Sequence, residues 1–114
     1  MADVPRGPYR PQDADVCLVA EDEGRVVGFL LASMDRRPGI FLERVHGLIS
    51  DVYVRPAYRR RGVGRELVGA ALAWFAERQV SRVRFRTDAR DALGVAVWKR
   101  LGFETVALTM DRLL

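Results

Sequence analysis

A mixed sheet with helices packed against it, an α/β (α+β) domain, is the architecture this sequence predicts, and three observations predict it. Strand-like runs fill the first half of the chain, ahead of any helical pattern. An arginine- and glycine-rich turn, Tyr58 to Arg65, then opens a long amphipathic helix. Beyond that helix a short alternating run, Arg82-Val83-Arg84-Phe85-Arg86, precedes a second helix that a glycine closes.

The elements follow in order. Val16 to Ala20 reads as a strand, Glu21 to Gly24 as a tight acidic turn, and Arg25 to Met34 as the returning strand of a hairpin. Asp35 to Arg44 holds Arg36-Arg37-Pro38-Gly39, a turn composition. The third strand spans Val45 to Val54 and ends before Pro56, which has no N–H to give a ladder. From Val63 to about Arg78, the residues Val63, Leu67, Val68, Ala71, Leu72 and Phe75 fall on one helical face. Asp91 to Leu101 is the second helix, with Leu93, Ala96, Val97 and Leu101 as its inner face and Gly102 as its stop. Thr105 to Met110 is expected as a last strand, giving the order ββ(β)αβαβ. Residues 1–15, polar and proline-bearing, read as a loosely held arm, and 16–114 as one domain.

A chain of 114 residues, about half of them apolar, can bury a core without metal or disulfide staples. Cys17 is the single cysteine and sits in an apolar run, so a disulfide framework is excluded and a cytoplasmic location is expected. No apolar run approaches membrane-span length, and the N-terminus lacks the apolar core of a signal peptide, so no membrane partner is expected. The net charge of +4 is almost wholly arginine, Lys99 being the only lysine. It clusters on the glycine turn and on Arg82, Arg84 and Arg86, not along a helix with interleaved aromatics, so nucleic acid is not the expected partner.

The glycine turn carries the most information. A turn that opens a helix presents unpaired backbone N–H groups at the positive end of the helix dipole. Gly62 and Gly64 let a ligand approach without a Cβ in the way, while Arg55, Arg59, Arg60, Arg61 and Arg65 gather positive charge. A lone Gly-x-Gly is compatible with a plain surface turn; strand, turn, helix and arginines together call for a di- or polyphosphate. No lysine follows the glycines as in a nucleotide-triphosphate loop, and the third glycine of a dinucleotide fingerprint is absent.

Arg59-Arg60-Arg61-Gly62-Val63-Gly64 is similar to the Arg/Gln-x-x-Gly-x-Gly/Ala motif of the GNAT superfamily of acyl-CoA N-acyltransferases. Asp51-Val52-Tyr53-Val54-Arg55-Pro56 resembles the strand before that motif, and Trp98-Lys99-Arg100-Leu101-Gly102-Phe103-Glu104 the family's closing helix and Gly-Phe turn. The likeness runs from about Val16 to Leu108. It implies a mostly antiparallel mixed sheet with flanking helices and a splayed central strand pair. The family usually begins with a further strand and one or two helices, which the residues before Val16 are too few to supply. A shortened member is therefore expected, completed by a homodimer partner or left with one sheet face open, as the Arg82, Arg84, Arg86 alternation suits.

The resemblance implies acetyl-CoA as acyl donor and an amine acceptor, a small molecule or a peptide amino group. The N–H groups of about Arg60 to Arg65, through Gly62, Val63 and Gly64, are expected to hold the pyrophosphate, with Arg59 or Arg61 adding charge. The amides of the pantetheine arm are expected to pair with the strand edge at Val52 to Val54, where a backbone N–H can also face the thioester oxygen. Asp51 is the expected base for the ammonium of the acceptor, with Glu43 and His46 as rivals and an ordinary strand acid as the alternative reading. Where the family commonly has a tyrosine to protonate the leaving thiolate, this chain has Trp98, whose indole donates only a hydrogen bond. Tyr53 is the alternative donor, and Trp98 is placed against the substrates or in the core. Asp91 suits a helix cap. No metal is expected. The competing reading is a module that binds acyl-CoA without turnover, as a sensor or docking protein.

Overall fold

The structure is a computed structural model and describes residues 14–35 and 46–114. Strands β1 (Val16–Asp22), β2 (Arg25–Asp35) and β3 (His46–Val54) form an antiparallel meander, and β4 (Val83–Phe85) adds parallel to β3. Helix α1 (Val63–Glu77) makes the crossover from β3 to β4, and α2 (Ala92–Arg100) follows.

The hairpin closes on two residues, Glu23 (φ 49°) and Gly24 (φ 77°), both in the left-handed region. That pair of positive φ angles belongs to the turn whose twist matches its flanking strands, so β1 extends to Asp22, beyond the expected end at Ala20. One face of the sheet packs on α1: Leu30, Ala32 and Ile49 meet Leu67, Val68, Ala71 and Phe75, all buried. A Cβ added at Gly47 would lie 2.7–2.8 Å from the Phe75 ring, so the absence of a side chain there lets the ring sit flat on β3. Gly47→Ala is expected to destabilise the protein by about 1–3 kcal/mol through overpacking. Thermal denaturation checks this, and an unchanged midpoint would mean that the ring moves aside freely.

The second face of β2 carries Val27, Phe29 and Leu31, which are also buried. The expectation of an open sheet face is corrected at this central strand.

Two further expectations are corrected. Helix α2 turns Gly94, Val95, Trp98 and Leu101 inward and leaves Leu93, Ala96 and Val97 exposed. The Trp98 ring decides this rotation by stacking on Phe85 at 3.7 Å and meeting Phe103 edge-on at 5.1 Å, which buries more area than Leu93 or Val97 offers. The ends of α2 follow local rules. Asp91 accepts a hydrogen bond from the Gly94 N–H at 3.0 Å, and Gly102 (φ 95°) closes the helix with Phe103 N–H donating to Trp98 O and Gly102 N–H to Lys99 O.

The segment Thr105 to Met110 forms no strand, and Val106, Leu108 and Met110 are 67%, 69% and 84% exposed. Its alternation suits a strand, but a strand needs a ladder, and β4 has contracted from the expected Arg82–Arg86 to three residues. An edge that short gives the run from Thr105 to Met110 little to pair with.

Candidate functional site

The site is built where β3 parts from β4. Gly47, Leu48 and Ile49 pair with Val83, Arg84 and Phe85, and Gly47 N–H donates to Arg82 O at 2.7 Å. At Ser50 the register between β3 and β2 slips by one residue, and the Ser50 hydroxyl donates to Leu31 O at 3.2 Å. The bulge reverses which residues face which neighbour. Beyond it Arg55 N–H donates to Val27 O, so Arg55, Tyr53 and Asp51 address β2 while Val54 and Val52 point their N–H and C=O groups to the side that β4 has left. Among the described residues, the strand edge from Val52 to Val54 is therefore free of a partner strand. On it, the Val54 carbonyl accepts a hydrogen bond from Arg59 Nε at 2.9 Å.

That edge leads into the glycine turn. A short 3-10 turn, Pro56–Tyr58, reverses the chain, and Arg60 (φ 64°) and Gly62 (φ 86°) adopt left-handed backbone. Gly62 is the N-cap of α1 and supplies no side-chain cap. The first intrahelical bond is from Glu66 N–H to Gly62 O, so the N–H groups of Val63, Gly64 and Arg65 have no helical acceptor. Gly62 opens onto empty space, and a Cβ at Gly64 would meet only Val54 Cγ2, at 3.9 Å. Arg59, Arg60, Arg61 and Arg65 are exposed around this point. Among the described residues none of the four forms an ion pair.

Contacts invisible to local sequence reading hold the turn. Tyr58 donates its phenolic O–H to Asp22 Oδ2 at 2.8 Å, across 36 residues, and that bond is the main reason its pKa lies above the ordinary phenol value. Arg61 sits over the Tyr58 ring at 5.3 Å, Arg59 over Tyr53 at 5.8 Å, and Arg55 Nε donates to Val26 O at 2.9 Å. The hairpin end and the glycine turn are thus bonded to each other. No spacing rule signals a pair that far apart in sequence.

Side chains alternate along the same strand. Val52 and Val54 pack toward α1, whereas Asp51 and Tyr53, opposite Leu31 and Phe29, lie on the other face. Asp51 is partly buried, and among the described residues its carboxylate has neither an ion pair nor a hydrogen bond. Tyr53 is exposed at its rim and packs on Phe29 at 5.9 Å. His46 is buried at the far end of β3 with Nε2 3.4 Å from Asp35 Oδ2, a pair that fixes the strand end. Trp98 lies in the aromatic stack between α2 and β4, on the α1 side of the sheet. Glu43 and the loop at 36–44 lie outside the described residues. Burial raises the pKa of the Cys17 thiol, which suits a packing role.

No described helix is long and apolar enough to cross a membrane. Comparison with known proteins agrees with the fold. The model of the Acetyltransferase (GNAT) family matches residues 2–103. Mycothiol acetyltransferase of Saccharomonospora viridis is 36% identical over 96 residues, which cover 82% of this chain and 31% of that protein. Aminoglycoside N(6')-acetyltransferase type 1 of Salmonella typhimurium is 28% identical over 94 residues, covering 75% of this chain and 60% of that one. The chain thus spans about a third of the first relative and three fifths of the second. Among solved structures, the aminoglycoside N-acetyltransferase AAC(6')-Iy in complex with CoA superposes with a TM-score of 0.76 at 21% identity, over 86% of this chain and 65% of that one.

Proposed function

The chain belongs to the GNAT acetyltransferase family, and from that premise we propose that it is an N-acetyltransferase, moving an acetyl group from acetyl-CoA directly to an amine. One observation carries the reading: the uncapped N-terminus of α1 stands at the end of the free β3 edge. The first suits a pyrophosphate and the second the amides of a pantetheine arm, in the order in which CoA carries them.

Acetyl-CoA supplies a thioester whose acyl carbon an amine can attack. The chain's own groups do the rest. The N–H groups of Val63, Gly64 and Arg65 and the guanidinium groups of Arg60, Arg61 and Arg65 bind phosphate oxygens. Arg59, tied to Val54 O, holds the turn against the strand and adds charge. The N–H groups of Val52 and Val54 face the cleft and are available to the acyl oxygen and the arm. Asp51 takes the proton that an ammonium must lose, on the opposite face of the same strand. Tyr53, two residues along on that face, is the hydroxyl assigned to return a proton to sulfur.

Relatives named for mycothiol and aminoglycoside acetylation support a small-molecule amine as acceptor, with a peptide amino group as the other candidate. A homodimer is the assembly we favour, because the exposed row Val106, Leu108 and Met110 needs cover. The lone thiol suits the cytoplasm.

A second reading, an acyl-CoA-binding module without turnover, draws on Trp98. Its ring is engaged in core stacking where the family's proton donor is commonly found. Thermal denaturation with acetyl-CoA, desulfo-CoA and ATP comes first. Both CoA species at a hundred times their Kd are expected to stabilise by about 2.7 kcal/mol and ATP to give no comparable shift. No shift with either CoA species overturns the donor assignment; shifts without turnover on any amine select the module.

A further inference from the structure

Arg84, at the centre of β4, is set apart from Arg82 and Arg86, which lie just outside its two ends. Arg82 and Arg86 are exposed, whereas Arg84 is partly buried, and its Nε is withdrawn from solvent with no hydrogen-bond partner. Among the described residues it is the buried side-chain nitrogen or oxygen left in that state. A guanidinium N–H taken from water and left unpaired loses its hydration with nothing in return. Folded proteins rarely carry that cost unless something else completes the bond.

Register shows where this group belongs. Arg84 lies opposite Leu48, and Leu48 opposite Ser33, on the face that does not pack on α1. Asp51 and Tyr53 are on the same face of the same strand, past the bulge and beyond the end of the β3–β4 pairing. Asp51 and Arg84 carry opposite charges, and among the described residues neither forms an ion pair. They do not neutralise each other. A molecule with an ammonium for Asp51 and a carboxylate for Arg84 complements both.

We propose that Arg84 binds the carboxylate of the acceptor, so that the preferred substrate is an amine that also bears a carboxylate, as in an amino acid. The inference rests on the acetyl-transfer reading for its activity test but not for its binding test. A guanidinium presents Nε–H and one Nη–H as a planar fork that matches the two oxygens of a carboxylate.

The test compares free amino acids with their carboxamides as acceptors for the wild type, Arg84→Gln and Arg84→Lys, with unfolding midpoints confirming that each variant folds. The wild type is expected to favour the carboxylate form by about 10- to 100-fold in kcat/KM, carried by KM. Arg84→Gln is expected to erase that preference by bringing kcat/KM for the free amino acids down to the level of their carboxamides, with the CoA-induced thermal shift retained. Arg84→Lys, which keeps the charge and loses the fork, is expected to retain only part of the preference. Calorimetry of N-acetylglycine and N-acetylglycinamide on the CoA-saturated protein gives the same comparison without turnover. Equal treatment of the two forms by the wild type, or a preference that survives Arg84→Gln, overturns the proposal and leaves acetyl transfer standing. If no amine is acetylated, the proposed activity falls and the calorimetric pair alone decides Arg84.

Discussion

Gly64→Leu is expected to leave the protein as stable as the wild type, or more so, and to abolish its binding of CoA. Both halves follow from the backbone. Gly64 is the second residue of α1 and has no positive φ, so leucine gains helix propensity there, by up to about 1 kcal/mol. Its Cβ would meet nothing closer than Val54 Cγ2 at 3.9 Å, an ordinary contact. The new side chain extends over the end of the β3 edge, where the proposed binding mode brings the phosphates to the N–H groups of α1. The neighbouring glycine makes a poorer test. Gly62 has φ 86°, and a side chain there brings left-handed strain of about 1–2 kcal/mol, so lost binding and lost stability cannot be separated. Unfolding midpoints with and without acetyl-CoA measure the effect. The wild-type shift is expected to vanish in Gly64→Leu at the same ligand concentration, and a shift of wild-type size would remove the turn from the binding site.

The contrast between these glycines illustrates what the sequence conveys. A strand, a glycine turn and an amphipathic helix are local patterns, so β1 to β3, α1, the Asp91 cap and the Gly102 stop were legible to within a residue or two at their ends. So was the presence of a glycine turn at the start of α1. The sequence did not reveal which glycine demands a left-handed backbone, because both read alike until φ is known. Rotation of α2 was misjudged because periodicity ranks Leu93 and Val97 with any apolar residue. The helix instead follows one large ring and the Phe85 that receives it, a partner thirteen residues earlier on another element. The last strand failed for a related reason: alternation describes a segment's own chemistry, while pairing depends on the length of its neighbour. The bulge at Ser50, which turns the N–H and C=O groups of Val52 and Val54 away from β2, has no mark in the sequence. The Tyr58–Asp22 bond and the withdrawn Arg84 Nε are equally tertiary facts, although the alternation at Arg82, Arg84 and Arg86 did single out the strand.

Asp51→Asn is expected to lower turnover by about 10²- to 10⁴-fold near neutral pH, the range for removal of a positioned general base, while CoA affinity stays unchanged. The substitution keeps the shape of the side chain. Among the described residues it breaks no ion pair, so a lost rate is not readily assigned to lost structure. Its pH dependence identifies the role. An amine of pKa near 10 is almost wholly ammonium at pH 7, and baring its lone pair costs roughly 4 kcal/mol. As pH rises toward that pKa, solvent removes a growing share of those protons before the amine reaches the site. The gap between wild type and variant should therefore narrow with rising pH and be widest at the acid end. A deficit that stays constant with pH would make Asp51 a group that positions the amine without taking its proton. A normal rate at every pH would move the base elsewhere. His46 is a poor successor, buried 3.4 Å from Asp35 at the far end of β3, beyond the bulge from the cleft. A water chain that ends on another carboxylate of the same face would then have to carry the proton, and a solvent isotope effect larger than that of a single transfer would reveal it.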